Sequence, residues 1–257
     1  MNPPRDTVER FTDRVVDYAR HRPRYPAALL NRVVDRTGLT PGWTVADVGA
    51  GTGILTQLFV HNGNTVYAVE PNDAMRAVAE QTLAAFPNFH SGKGRSEATG
   101  LPDASIDLIV AGQAFHWFEP VATRAEFQRI LRPGGWVALV WNSRRNRGTP
   151  FLVAYRQLLD EFGTDFRQVD HQYVVDDGAL ARFYGGPYTV DTLPNQQVLD
   201  LEGLAGRLFS TSYMPAVDDP RRATMQARLE EIFAAHAVDG HVVLTYDTEL
   251  YLGRLAA

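Results

Sequence analysis

No cysteine occurs among the 257 residues, which excludes disulfides, thiolate metal sites and cysteine nucleophiles and leaves the redox compartment undetermined. Lysine is almost absent too. Lys93 stands alone and every other basic side chain except histidine is arginine, a bias that fits a GC-rich genome better than any chemistry. Positive charge is outweighed, 25 Lys and Arg against 30 Asp and Glu for a net charge of -5, so there is no broad positive field to attract phosphate backbones or anionic membranes. No window approaches the roughly 18 uncharged apolar residues that a membrane span needs. The opening MNPPRDTVERF has no basic stretch followed by an apolar run. A soluble cytoplasmic protein with a small-molecule partner, monomeric or homodimeric and without nucleic acid or membrane, is the expectation.

What is present is ordinary globular composition, 45% hydrophobic and 21% charged, enough to bury a substantial core. Short apolar runs bounded by turn residues at Trp43–Val48, Thr65–Val69, Ile106–Ala111 and Trp136–Trp141 read as buried strands. Helix-like segments lie between them, near Gly53–Asn62, Ala74–Ala85 and Ala122–Leu131. That alternation indicates βαβ units and a parallel sheet. The expected fold is α/β, doubly wound, with residues 40–142 as the cofactor-binding core of a single domain. Residues 1–39 form an N-terminal cap, helical over Asp6–Tyr18 and then broken by proline through Tyr18–Pro26. Residues 143–257 complete the sheet and build a lid. Helices are expected at Phe151–Phe162, Ala179–Phe183, Glu202–Phe209 and Pro220–Ala237, and strands at Tyr188–Leu193, Gln196–Leu201 and Val242–Leu252.

The most informative segment is Val45-Ala-Asp-Val-Gly-Ala-Gly-Thr-Gly53, a strand running into a glycine turn and then an apolar helix. Gly49, Gly51 and Gly53, with Ala50 between, allow a tight turn and a close approach of backbone to ligand. Asp47 could hold the loop or face a cationic group, directly or through water, whereas a phosphate would call for a basic residue. The next strand ends in Glu70, 21 residues after Gly49, where a carboxylate can accept both hydroxyls of an adenosine ribose. A dinucleotide fingerprint would read G-x-G-x-x-G, but Ile54 follows Gly53, so the pyrophosphate reading is the weaker one. A purely structural turn is the remaining alternative.

At these residues the sequence resembles the class I S-adenosylmethionine-dependent methyltransferases. Asp47–Gly53 is similar to their first motif, Glu70 to their ribose-binding acid, and Leu131-Arg-Pro-Gly-Gly-Trp136 to the turn before their fifth strand. Tyr18–Pro26, Gly112-Gln-Ala-Phe-His-Trp-Phe118 and Trp141-Asn142 resemble more narrowly the small-molecule branch that includes trans-aconitate methyltransferase and its fungal relatives. The resemblance implies a mostly parallel seven-stranded Rossmann-like sheet and S-adenosylmethionine as cofactor, with no metal. It places the glycine loop at the methionine part, with Pro71, Asn72 and Met75 near the adenosine. The Gly94–Glu97 loop lies by the adenine, with Arg95 where an acceptor side chain is usual, so that the contact falls to the Ser96 backbone. Met75 could equally be ordinary core.

An acceptor would sit beyond the carboxyl ends of the fourth and fifth strands, which places Gln113, Phe115, His116, Trp117 and Asn142 there. His116 could act as general base, orient an acceptor carboxylate, or be a buried histidine satisfied by the backbone. Gln113 and Asn142 complete the polar set. Tyr18, Arg20, Arg22 and Tyr25 could position an acceptor carboxylate or clamp the cofactor's own. Ser212 and Tyr213 lie where a helix end could reach the cleft. His171, Tyr173 and Tyr184 fall in the insertion after the fifth strand, where lids are commonly built. Against methyl transfer stand an NAD(P)-dependent oxidoreductase, a cofactor-binding protein without chemistry, and non-methylating use of the same cofactor.

Overall fold

The computed structural model describes residues 15–163, 177–211, 214–215 and 219–256. Its sheet has seven strands in the order β3-β2-β1-β4-β5-β7-β6. Strands β1 (Thr44–Val48), β2 (Thr65–Val69), β3 (Phe89–Gly92), β4 (Ile106–Gly112) and β5 (Leu131–Arg144) run parallel, while β7 (Val242–Gly253) lies antiparallel between β5 and β6 (Tyr188–Leu199). The expected α/β sheet is therefore present, and the strand order reverses between the neighbours β1 and β4 near its middle. Ligands of such sheets bind outside the carboxyl ends of the strands at that reversal.

Alternation along the strands sorts the core. Val45, Leu108, Val110, Ala138 and Val140 point into one apolar cluster, and Ala46, Val48, Ile109, Ala111, Leu139 and Trp141 into the other. Helices α2 (Ala27–Thr37) and α3 (Thr56–His61) contribute Leu29, Val33 and Phe59 to the first. Helices α5 (Pro120–Ile130) and α7 (Asp177–Tyr184) contribute Phe127, Phe183 and Tyr184 to the second. Helix α4 (Asp73–Leu83) follows β2 and sends Leu83 into the first cluster. Strand β5 outruns β4: Gly112 pairs with Val140, but β5 continues to Arg144 against Tyr246 of β7. On this projecting ribbon α6 (Pro150–Phe162), α8 (Leu201–Phe209) and α9 (Arg222–His236) bury a third cluster around Tyr155, Leu208, Met225 and Tyr246.

Several expectations are corrected. The helix expected over Asp6–Tyr18 appears as α1 (Val15–His21), its earlier part lying outside the described residues. Helix α2 was not anticipated; it starts after Pro26, buries Leu29 and Val33, and stops at Gly38 in the left-handed region. Strand β3 is short and mostly exposed, so it lacks an apolar run to reveal it. The two strands expected on either side of Pro194 are one, β6, because an outermost strand has one side that needs no ladder donors. The Arg-Pro-Gly-Gly turn is a bulge inside β5: Leu131 pairs with Ile106 and Trp136 with Leu108. Among the described residues no helix is long and apolar enough to cross a membrane.

Candidate functional site

A cavity of about 320 Å³ opens at the carboxyl ends of β1, β2 and β4. One wall is the turn after β1. The Gly49 and Ala50 amides both donate to the Val69 carbonyl, at 2.9 and 3.2 Å, which draws the turn against β2. Gly49 has φ +71, and a Cβ there would lie 2.7 Å from Cβ of Ala114. Gly49→Ala combines a strained backbone with an overlap, and we expect it to lose about 3 kcal/mol of stability in urea titrations. Wild-type stability would show that the turn is not held this tightly.

Opposite stands Glu70, just past β2 and 7% exposed. Its Oε2 accepts from the Gly51 amide and its Oε1 from the Asn72 amide, each at 2.8 Å. Burial raises its pKa, and those two amides together with nearby Arg76 pull it back down. The carboxylate is thus pinned at the rim with lone pairs to spare. Asn72 caps α4 by accepting from the Met75 amide at 2.9 Å, so Met75 enters the wall 3.8 Å from where a Gly51 Cβ would be. Arg95, Ser96 and Glu97 close the far end; the Ser96 hydroxyl donates to Glu97 and accepts from Thr123, each at 2.9 Å. That loop is fastened by Glu126, which accepts from Thr99 and pairs with Arg129, an arrangement that pushes its pKa down to about 2. The near end is Gly112, Gln113, Ala114, Trp117, Phe118 and Glu119. Among the described residues, the carboxylates of Glu70, Glu97 and Glu119 and the guanidinium of Arg95 line this space.

The domain model for a methyltransferase domain matches residues 46–139. Over 228 residues the chain is 30% identical to an uncharacterised methyltransferase-like protein of Schizosaccharomyces pombe, covering 88% of this chain and 86% of that one. The chain belongs to the methyltransferase family. A second relative, an uncharacterised methyltransferase of Mycobacterium tuberculosis, is 37% identical over 165 residues, 63% of this chain, and the match spans only 62% of that relative's length. A solved structure from Anaeromyxobacter dehalogenans, provisionally called a type II methyltransferase, superposes with a TM-score of 0.68 at 25% identity, covering 91% of this chain and 98% of that one.

In this methyltransferase-family chain the cavity gathers Gly49, Gly51, Glu70, Pro71, Asn72, Met75, Arg95, Ser96, Gln113 and Trp117 from the residues singled out in the sequence. Others stand behind the wall. Asp47 is fully buried beneath the glycine turn, where its Oδ2 accepts from the Thr56 hydroxyl at 2.6 Å; it therefore meets the start of α3 and not the open space. Ala50 is buried, and Gly53 packs against Ala79 and Leu83 of α4. Phe115 is core, 4.6 Å from the Phe183 ring, because a short 3-10 helix (Phe115–Trp117) turns it inward while Trp117 faces out. His116 leaves the wall for the same reason, and its Nδ1 accepts from the Trp141 indole at 3.4 Å. Asn142 is buried in a polar knot: its Oδ1 accepts from Thr248 at 2.6 Å and Asn195 at 3.1 Å, and its carbonyl accepts from Gln113 at 3.3 Å.

The N-terminal strap crosses the same end of the sheet. The Arg24 carbonyl accepts from Asn195 at 2.8 Å, and Tyr25 packs so closely on Gly112 that a Cβ there would lie 2.5 Å from its hydroxyl. Arg22 donates to the Ser210 carbonyl at 3.4 Å, whereas Arg20 makes an exposed ion pair with Glu202. Tyr184 is not part of a lid; it is fully buried on α7, donating to the Tyr251 carbonyl at 2.9 Å. Tyr18 lies on α1, and its side chain is outside the described set, as are His171, Tyr173, Ser212 and Tyr213. Glu97 belongs to the loop expected by the adenine, and Gly112, Ala114 and Phe118 to the segment that carries the narrower resemblance, but none is assigned a role of its own there, and Glu119 was missed. The signal for Glu119 was Glu-Pro at a helix start, where it caps α5 by accepting from the Ala122 amide at 2.6 Å.

Proposed function

We propose that this chain binds S-adenosylmethionine in the cavity beyond β1, β2 and β4 and directs methyl transfer to a small-molecule acceptor. The observation that carries the reading is the Glu70 carboxylate, fixed by the Gly51 and Asn72 amides at the rim of a space of about 320 Å³. The bound cofactor would supply a methyl group already activated on a sulfonium. Glu70 is placed to accept from ribose hydroxyls, the Met75 side chain offers an apolar surface, and Gly49 and Gly51 leave room for the ligand's backbone-sized portions. Among the described residues, three rim carboxylates against one guanidinium favour a ligand carrying positive charge and oppose a pyrophosphate. This weighs against the nicotinamide reading.

For the acceptor, the protein's task is to align a desolvated nucleophile, with no covalent intermediate or metal required of the protein. Gln113 is the polar group common to the cavity wall and the Asn142 knot. We assign Gln113 and Asn142 to positioning, with His116 behind Trp117 orienting that wall. A small carboxylate or hydroxyl compound is the acceptor class that the resemblance to the trans-aconitate branch supports. The net charge of -5 argues against a nucleic-acid acceptor. Calorimetry tests the reading: S-adenosylmethionine and S-adenosylhomocysteine are expected to bind with micromolar affinity and NADH not to bind. Binding of NADH alone would replace this function with the oxidoreductase.

A further inference from the structure

Several arginines that remain partly in water pair with an acid. On α2, Arg36 pairs with Asp191 at 3.0 Å, and Arg32 pairs with the same carboxylate. On β5, Arg145 pairs with Asp247 at 2.5 Å. Arg144, the residue before it, is only 9% exposed and has no such partner among the described residues. Its Nε donates weakly to Asn146 at 3.3 Å, and its guanidinium carbon lies 5.4 Å from the Tyr155 ring centre. Its two Nη groups find no protein acceptor among the described residues, yet neither is sealed from solvent. A guanidinium so nearly buried is costly unless an anion meets it.

Among the described residues, two further guanidiniums stand at this end of α8. Tyr246 is the cross-strand partner of Arg144. The Arg207 guanidinium lies 5.9 Å from the Tyr246 ring, with its Nε donating to the Tyr246 hydroxyl at 3.2 Å. Arg22 reaches the same end of α8 through the Ser210 carbonyl. Asn142, two residues before Arg144 along β5, is tied through its carbonyl to Gln113 in the cavity wall. Of the acids in β7, Asp247 is taken by Arg145 and Glu249 is engaged by the Ser143 hydroxyl at 2.7 Å, and Ser143 and Arg145 alternate onto the face of β5 opposite Arg144.

Resting on the methyltransferase reading above, we infer that Arg144 is the anion-binding residue of an acceptor pocket between β5, α6 and α8, and that the acceptor carries an acidic group. A planar fork with free Nη donors suits a carboxylate in particular.

The test uses the whole protein saturated with S-adenosylhomocysteine, into which succinate, citrate and benzoate are titrated by calorimetry, with succinamide and benzamide as neutral controls. At least one acid is expected to bind and its amide not to. Arg144→Gln is expected to weaken that acid about tenfold or more while S-adenosylhomocysteine affinity changes less than about twofold. Arg144→Lys is expected to recover part of the loss. Without ligand, Arg144→Gln should melt at or above the wild-type temperature, since it removes an unpaired charge. Absence of binding by all three acids overturns the inference, as does equal acid affinity in Arg144→Gln. A lower melting point with unchanged acid binding would make Arg144 a structural residue. If the variant instead loses S-adenosylhomocysteine, the arginine serves the cofactor's own carboxylate and the acceptor assignment falls. Failure of wild-type protein to bind S-adenosylhomocysteine at all sinks the methyltransferase reading, and acid titration of the unliganded protein then judges the Arg144 site separately.

Discussion

Glu70→Ala is expected to weaken S-adenosylmethionine binding by at least about a hundredfold while leaving the chain folded. Two charge-assisted hydrogen bonds to a ribose diol contribute roughly 1.5–3 kcal/mol each, and two such losses amount to a hundredfold or more in affinity. The substitution also strips the acceptor from the Gly51 and Asn72 amides, each now bound to Glu70 at 2.8 Å. The turn that shapes the cavity would lose its anchor together with its ligand contact. Folding should survive, because burial already raises the Glu70 pKa and thereby disfavours the charged form. Removing it relieves that cost, and the exposed amides can turn to water in a cavity open to solvent. Glu70→Gln separates the parts: it keeps an acceptor but presents an NH2 toward one of the two amides, so its loss should be intermediate, about tenfold. Calorimetry with thermal melting as the folding control decides. An unchanged dissociation constant in Glu70→Ala would remove the ribose assignment and leave Glu70 as a structural clasp.

The α/β core and the glycine turn were legible in the sequence for a physical reason. Buried parallel strands need continuous apolar runs, and a tight turn beside a ligand needs residues that tolerate a left-handed backbone. Both demands mark the sequence at Val45–Gly53 and Thr65–Glu70. Legibility failed where structure depends on what lies alongside. Nothing in Phe89–Gly92 announces a strand, because β3 forms by pairing with β2 rather than by burying its own side chains. Pro194 reads as a break until β6 is known to be outermost. Around the site, sequence position alone put Phe115, His116 and Trp117 together at the end of β4. A single short 3-10 turn decides that Trp117 meets the cavity while Phe115 meets Phe183 and His116 meets Trp141. Arg144 went unnoticed for the opposite reason. In a chain rich in arginine, nothing in the sequence separates a guanidinium that becomes buried from one that stays in water.

Asp47→Asn is expected to make the protein more stable at pH 8 and to leave it unchanged near pH 4. Asp47 is wholly buried; its Oδ2 accepts from Thr56 at 2.6 Å, while Oδ1 has no hydrogen-bond partner among the described residues. Desolvation is the main cause that pushes its pKa up to about 7 from 3.8, the hydrogen bond from the Thr56 hydroxyl opposes it, and the nearby Glu70 charge adds to it. Between those two values the folded protein holds a proton that the unfolded chain has released. Stability from this group is therefore complete below about pH 4 and is lost as pH rises toward 7, by up to roughly 4 kcal/mol from a shift of about three units. Asparagine retains an acceptor for Thr56 and never ionises, so the gap between variant and wild type should open across that window and then level off. Urea titrations at several pH values read it directly, and the other carboxylates cancel because they titrate alike in both proteins. A gap independent of pH, or a variant less stable at pH 8, would show that Asp47 does not carry this cost. Cofactor affinity should move the other way. A cation in the neighbouring cavity favours the ionised carboxylate, so wild-type affinity for S-adenosylmethionine should tighten as pH rises through 7, and Asp47→Asn should bind more weakly and without that dependence. Greater stability joined to weaker binding is the combination expected of a buried charge kept for its ligand.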